Sequence, residues 1–385
     1  MKILILSAST GGGHIKASRA LESYVLENEE DAKVKVVDTL EYINPLVNIV
    51  VTKGYIILAK YFNFIYKRIY RITDRTSLLT LLVTRLILHF SNKLLPLIED
   101  FNPDVIITTH PFPTEMISIL KGNDKVKVPL VCIMTDYTAH KTWIKPNVDE
   151  YCVASEAMRL EMIDRGVRGE CIHSYGIPVS SSFFQKDYDD KFKLAEELEL
   201  DKDKMTILIM AGSFGVQNIE DIYVDIAKIP MDFQIIILTG NNERLYKRIK
   251  KHIKVSEKKT RAIKFTKEVH RYMNLADILI TKPGGLTVSE ALATNLPMVI
   301  FDAIPGQEEA NAKFLLEHNM AISIGHGLNS KATVEKLLKD EKKLKEIRDK
   351  CTEFDKSSSN KELLELIRKV VKENNSSISN DSEIA

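Results

Sequence analysis

Thr281–Asn311, TKPGGLTVSEALATNLPMVIFDAIPGQEEAN, is the stretch on which the reading of this chain turns. The apolar run Ile278–Lys282 predicts a strand, and Pro283, Gly284 and Gly285 end it. Glycine there permits unusual backbone angles and lets a ligand come close to the main chain. A helix is expected next, with Thr287 as its cap. The unpaired N–H groups of its first turn and the positive end of its dipole form an anion site. Glu290 follows Thr287 by three residues and so shares its face. A carboxylate there suits a ribose diol better than a phosphate. A second apolar strand and a polar loop come next, and Gln307, Glu308 and Asn311 supply groups of the kind that sort sugar hydroxyls. Together these features predict half of a nucleotide-sugar site.

The rest of the chain has room for the other half. With 385 residues, 44% of them apolar, two domains are the default expectation. The formal charge of +1 gives no general attraction for nucleic acid. Cys132, Cys152, Cys171 and Cys351 show no CxxC spacing, and buried free thiols are expected. A strand begins within two residues of Met1 with no leader-like segment before it, which favours a cytosolic chain.

At the start, Lys2–Ser7 (KILILS) has the unbroken apolar character of a buried parallel strand. It runs into Gly11, Gly12, Gly13 and His14, then into a helix with apolar residues at Ala17, Leu21, Tyr24 and Val25. Strand, glycine loop and helix open a doubly wound α/β domain. The dinucleotide fingerprint is incomplete, because its third glycine position holds Lys16, and no Gly-Lys-Ser/Thr follows to make a phosphate loop of the Walker type. Val34–Asp38, Val105–His110, Leu130–Asp136 and Tyr151–Ala154 are further strand candidates. In a parallel sheet their carboxyl ends border the ligand crevice, which predicts that His110, Asp136 and His140 gather near Gly11–His14. Each of them alone also reads as a helix or turn cap.

Residues 46–98 break this rhythm. Tyr55, Tyr61, Phe62, Phe64, Tyr66 and Tyr70 interleave with Lys53, Lys60, Lys67, Arg68, Arg71 and Arg75. The longest uncharged run, Thr76–Thr84, is far short of the ~20 residues that span a bilayer. Two readings fit: a helix pair packed on the domain with its basic face in water, or an interfacial helix on an anionic membrane surface.

Ser174–Phe184 reads as a hinge, and a second α/β set begins at Met205. Its first strand ends in Gly212, Ser213, Phe214 and Gly215, again a loop able to approach phosphate. Asp-x-Asp, a common metal-holding signature, does not follow a strand in this half, so Lys282 and Arg261 are candidates to neutralise a diphosphate. The last segments are helical and charged, and the polar run Asn374–Ala385 is expected to be disordered.

Laid out in order, SASTGGGHIKASRAL (Ser7–Leu21), TDYTAHKTWI (Thr135–Ile144), VDEYCVASE (Val148–Glu156), GIPV (Gly176–Val179), MAGSFG (Met210–Gly215), ITKPGGLTVSEAL (Ile280–Leu292) and PGQEEAN (Pro305–Asn311) carry a resemblance. The chain resembles the monogalactosyldiacylglycerol synthase and processive diacylglycerol glucosyltransferase family, of the glycosyltransferase family 28 type. More distantly it is similar to the N-acetylglucosaminyltransferase of late peptidoglycan synthesis.

The resemblance implies an α/β protein with two Rossmann-like doubly wound domains facing a cleft (the GT-B fold). It implies a lipid-acceptor domain over 1–178 with a membrane-associating helical insertion at about 46–98, a UDP-sugar donor domain over 179–357, a helix over 358–373 crossing back to the first domain, and a tail over 374–385. The implied reaction is inverting transfer of glucose or galactose from a UDP-sugar to 1,2-diacylglycerol, possible in successive rounds, at the cytoplasmic membrane face. No metal or other cofactor is implied. The alternatives are transfer of N-acetylglucosamine to a polyprenyl-diphosphate lipid, or a non-catalytic nucleotide-binding protein. The presence of His14, Glu290 and Gln307 argues against the last.

In that frame Gly212–Gly215 and Pro283–Leu286 with Thr287 would surround the diphosphate. Lys267–Met273, including Val269 and Met273, would cover the uracil through main-chain groups. Glu290 would hold the ribose, and Gln307, Glu308 and Asn311 would face the sugar. Gly11–Gly13, His110 and His140 would line the acceptor side; His14 would be the base or orient the acceptor hydroxyl, with Asp136 its partner. The residues support the base on their own terms. An inverting transfer needs one group of near-neutral pKa to take the alcohol proton, and a histidine at a glycine loop fits. The leaving diphosphate needs helix ends and N–H groups.

Overall fold

The computed structural model describes residues 1–9, 12–44, 90–185, 188–210, 218–301, 303, 306–325 and 329–384. Gly11, the loop Gly212–Gly215 and most of the aromatic-basic stretch lie outside them. The chain divides into two units, Met1–Ser180 with Lys356–Ala385, and Ser181–Asp355.

The first unit runs β1 (Lys2–Ser7), α1 (Gly13–Asn28), β2 (Lys33–Asp38), α2 (Thr39–Ile43), α3 (Leu95–Phe101), β3 (Val105–Thr108), α4 (Pro111–Gly122), β4 (Leu130–Ile133), β5 (Glu150–Cys152), α5 (Glu156–Asp164) and β6 (Ile172–His173). The second runs α6 (Tyr188–Glu197), β7 (Thr206–Met210), α7 (Ile219–Ala227), β8 (Gln234–Leu238), α8 (Glu243–Ile253), β9 (Thr260–Ile263), α9 (Val269–Leu275), β10 (Ile278–Thr281), α10 (Gly285–Ala293), β11 (Met298–Ile300), α11 (Gln307–Glu317), β12 (Ala321–Ser323), α12 (Ser330–Lys339) and α13 (Glu341–Glu353). The terminal helix α14 (Ser359–Ile384) belongs to the first unit.

Each unit holds one six-stranded sheet, ordered β2-β1-β3-β4-β5-β6 and β12-β11-β10-β7-β8-β9. Every strand pair is parallel. Strand order reverses between β1 and β3 in the first sheet and between β7 and β10 in the second. In open parallel sheets, ligands bind at such switch points, beyond the strands' carboxyl ends.

The two faces of β1 explain its apolar centre, Ile3–Leu6. Ile3 and Ile5 join Val105, Ile107, Val131 and Ile133 on one face, under Leu21 and Val25 of α1 and Leu363, Leu366 and Ile367 of α14. Leu4 and Leu6 face the other way, with Ile106 and Leu130, under Leu97 and Ile98 of α3 and Met116, Ile117 and Leu120 of α4. Both faces are covered, so nothing in the strand has to be polar. All four cysteines are free and buried, and burial pushes the thiols of Cys132 and Cys351 up to about 12.

The helix α14 takes in the run from Asn374 as far as Ile384. The packed Leu363–Val370 segment supplies the nucleus, and extending an existing helix costs little even for polar residues. One expectation needs correction. The expected membrane insertion does not extend to residue 98. Leu94, Leu97 and Ile98 are buried in the core beneath the first sheet. Among the described residues no helix is long and apolar enough to cross a membrane.

Candidate active site

At the first switch point the chain leaves β1 and turns into α1 through Gly12, whose φ of 80° lies in the left-handed region that favours glycine. No side chain caps α1, so the amides of its first turn face the crevice without a cap. His14, the second residue of that helix, is buried at 9% exposure. Its Nδ1 lies 2.9 Å from the carbonyl oxygen of Thr109 and 2.6 Å from the hydroxyl of Thr135. A carbonyl can only accept, so Nδ1 carries the proton in the neutral ring and Nε2 is the nitrogen able to take one.

A layer of hydroxyls supports this arrangement. Thr109 Oγ1 lies 2.8 Å from Ser7 Oγ and 2.8 Å from Ser18 Oγ, and Ser18 Oγ donates to the His14 carbonyl at 3.1 Å. These groups tie β1, α1 and the end of β3 together beneath the imidazole.

His110 stands edge-on to His14, with ring centroids 4.6 Å apart. It caps α4: its Nδ1 accepts the Phe112 N–H at 3.1 Å, which assigns the proton to Nε2 in the neutral ring. Burial draws the His110 imidazole well below its ordinary range, and the neighbouring His14 draws it further. Burial also lowers His14, opposed by the charge of Asp136 and by the Thr109 hydrogen bond. Two neutral histidines at physiological pH are the result.

Asp136 is buried, and its Oδ2 accepts the indole N–H of Trp143 at 2.9 Å. The hydrogen bonds that orient His14 at Nδ1 come from Thr109 and Thr135, so Asp136 acts on the imidazole through its charge. His140 lies in the same loop, with Nδ1 2.8 Å from Thr142 Oγ1. The structure thus brings His14, His110 and Asp136 together and gives His140 a turn-holding contact. Thr109, Thr135, Ser18 and Trp143 escaped notice in the sequence. Thr135 and Trp143 stood inside TDYTAHKTWI, and only the strand register reveals their direction.

At the second switch point Gly284 links β10 to α10 with φ −70° and ψ 136°, ordinary extended backbone. The N-cap is therefore Gly284, and Thr287 is the third residue inside the helix, which corrects its expected capping role. No side chain caps α10. A Cβ built on Gly284 would meet no atom of the described residues within 4 Å. Leu286 and Pro283 are buried; they contribute main chain, not side chains, to this turn. Glu290 is 5% exposed on α10 and is engaged within the protein.

Three further expectations change. Asn311 is fully buried, and its amide donates to the Pro283 carbonyl at 3.1 Å, so it braces the Pro-Gly-Gly turn rather than presenting itself to a sugar. Met273 is buried in the last turn of α9, where its N–H belongs to the helix ladder and cannot bind a base. Val269 opens α9, and its amide is one of those a helix start leaves unpaired. Arg261 donates to the Leu198 carbonyl and pairs with Glu199, so it is committed away from any diphosphate. Gln307 and Glu308, half-buried, begin α11 after Gly306, whose φ is 99°. Among the described residues no group of three or more His, Cys, Asp or Glu is arranged to hold a metal ion.

Two parallel-sheet units, each with an uncapped helix start at its switch point, define a protein of the GT-B class. Solved structures share this architecture: MurG of Acinetobacter baumannii (13% identity, TM-score 0.62, 96% of this chain and 99% of that one) and a Staphylococcus aureus MnaA–UDP complex (13%, 0.64, 96% and 97%). A UDP-GlcNAc 2-epimerase from Neisseria meningitidis bound to UDP-GlcNAc shares it as well (16%, 0.62, 96% and 100%), so the fold alone does not choose the reaction. Sequence comparison is more specific. A family model for monogalactosyldiacylglycerol (MGDG) synthase matches residues 14–179, and one for the glycosyltransferase family 28 C-terminal domain matches residues 206–380. Among the relatives, a processive diacylglycerol beta-glucosyltransferase of Staphylococcus carnosus is 32% identical over 323 residues, 83% of this chain and 80% of that protein. One of Bacillus licheniformis is 28% identical over 368 residues, 94% and 93%. The chain belongs to the monogalactosyldiacylglycerol synthase and processive diacylglycerol glucosyltransferase family, of glycosyltransferase family 28 type, and is a glycosyltransferase.

Proposed function

We propose that this enzyme transfers glucose from UDP-glucose to the free hydroxyl of 1,2-diacylglycerol, with inversion at the anomeric carbon and without a metal ion. The observation that carries the chemistry is the Nδ1 contact of His14 with the Thr109 carbonyl at 2.9 Å, which leaves Nε2 as a base in a buried, neutral ring. In the reaction the acceptor oxygen forms its bond to the anomeric carbon as the bond from that carbon to the diphosphate oxygen breaks. The hydroxyl proton passes to His14 Nε2, and UDP leaves with the electron pair. The first-turn amides of α10 and the open space at Gly284 support the diphosphate assignment, and Glu290 on the same helix is the ribose-binding candidate.

The names of the relatives support glucose and diacylglycerol, and they also support successive additions, which would make the first product an acceptor in turn. The aromatic-basic stretch supports peripheral attachment to an anionic membrane surface, which is expected to weaken when Lys67, Arg68 and Arg71 are replaced by Glu.

Incubation with UDP-glucose, UDP-galactose or UDP-N-acetylglucosamine, each with vesicles of diacylglycerol or of a polyprenyl-diphosphate lipid, and with EDTA or with added Mg²⁺ or Mn²⁺, tests the whole proposal. Glucosyl-diacylglycerols of β configuration are expected. Galactolipid as the main product overturns the donor, product only with added Mg²⁺ or Mn²⁺ overturns metal independence, and product only on a polyprenyl-diphosphate acceptor overturns the lipid.

A further inference from the structure

We infer that Thr135 is a positioning residue for His14, and that with the Thr109 carbonyl it performs through uncharged oxygens the orienting task expected of Asp136. This rests on the reading of His14 as the base.

The geometry follows from the strand register. β3 and β4 are neighbours, with Thr108 opposite Cys132. The residues just past their carboxyl ends, Thr109 and Thr135, therefore emerge side by side at the switch point. Both meet one atom, His14 Nδ1, at 2.9 Å and 2.6 Å. The carbonyl of Thr109 can only accept, so the proton sits on Nδ1 and the Thr135 hydroxyl takes a share of it as a second acceptor. When Nε2 gains the substrate proton, the ring becomes a cation whose Nδ1–H is already held by two oxygens. Hydrogen bonds to charged groups are worth more than those to neutral ones, so this contact strengthens as the reaction proceeds.

Asp136 is placed differently. Its Oδ2 is occupied by the indole N–H of Trp143 at 2.9 Å. The carboxylate biases the ring through its charge, while the ring's direction is set at Nδ1. Neutral oxygens there hold the tautomer without adding a buried charge, and the imidazole stays unprotonated and ready at neutral pH.

Thr135→Val keeps the shape and removes the hydroxyl; Thr135→Ser keeps the hydroxyl. The expected result for Thr135→Val is a fall in kcat of about 10- to 100-fold, the worth of one hydrogen bond to a charged group. KM for UDP-sugar should be unchanged, and the acid limb of the kcat/KM profile should move to lower pH, because the imidazolium loses an acceptor. Thr135→Ser should restore both. ¹⁵N spectra of His14 in the unaltered enzyme should show the neutral ring protonated at Nδ1. A ring protonated at Nε2 overturns the inference, and so does a Thr135→Val enzyme with unchanged kcat and acid limb. A ring protonated at Nε2 overturns it whether or not that variant folds. Thr135→Ala is the second variant to read for kcat and the acid limb if Thr135→Val does not fold. The His14→Ala variant separates the two claims: retained activity removes His14 as base and leaves the tautomer measurement standing, whereas lost activity with a normal Thr135→Val enzyme removes only Thr135.

Discussion

The two units each turn from a strand into an uncapped helix through glycine, yet they use it for different reasons. In the first, Gly12 adopts φ 80°, a conformation that the backbone itself demands. In the second, Gly284 adopts φ −70° and ψ 136°, open to any residue, with no atom of the described residues near the place a Cβ would occupy. One glycine is required by the turn, and the other keeps space in front of a helix end clear. Identical letters in the sequence thus report a backbone demand in one unit and open space in the other.

Substitutions can break that contrast. The largest effect should come from the group that the first turn delivers: His14→Ala is expected to lower kcat by about 10²- to 10⁴-fold, measured at saturating donor. Gly284→Val should leave thermal unfolding unchanged and raise KM for UDP-sugar by about tenfold, the scale of one obstructed charge-assisted hydrogen bond. Gly12→Ala should do the reverse in kind and destabilise the first unit by about 1–2 kcal/mol, the cost of left-handed backbone in a non-glycine residue. Calorimetry would then show a melting temperature lower by roughly 2–8 °C. If Gly284→Val proves the destabilising variant and Gly12→Ala the silent one, the distinction between the two turns is wrong.

The smaller effects concern pH. Asp136→Asn keeps an acceptor for Trp143 and removes the charge that raises His14, so the acid limb of kcat/KM should shift to lower pH. His14 and His110 have folded values below their ordinary 6.5, so the unfolded chain binds more protons in acid. Their contribution to stability is present above about pH 6.5 and is lost as pH falls from there toward the folded values. Melting temperature measured from pH 7.5 downward should decline over that window, and His110→Gln should flatten the slope.

Much of the fold was legible because the strands bury both faces. KILILS, VIIT and TILIM have apolar centres of the kind a sheet covered on both sides requires, and the first two stop at a polar residue where the crevice begins. The short strands Ile172–His173 and Ala321–Ser323 were not, because two or three residues carry no periodicity. At the site, residue types marked the chemistry but not the direction of side chains. Asn311 and Met273 were both expected at the donor site, and only burial shows that one braces a turn and the other fills a core. His14 stood out as a histidine in a glycine loop. The threonines around it did not, since a hydroxyl in a loop says nothing until two strands set it against a ring nitrogen.

The helix Ser359–Ile384 packs Leu363, Leu364, Leu366, Ile367 and Val370 against Ile3, Ile5, Val105 and Val131. On a ribosome this reverses the order of completion. The stretch Ser181–Asp355 has all of its own residues once it emerges, while the sheet made first, covered on that face only by α1, waits for α14 to be translated. A chain halted near residue 355 would carry a finished second unit and a first unit with part of its core exposed to chaperones and proteases. Only synthesis through α14 closes the unit that holds His14.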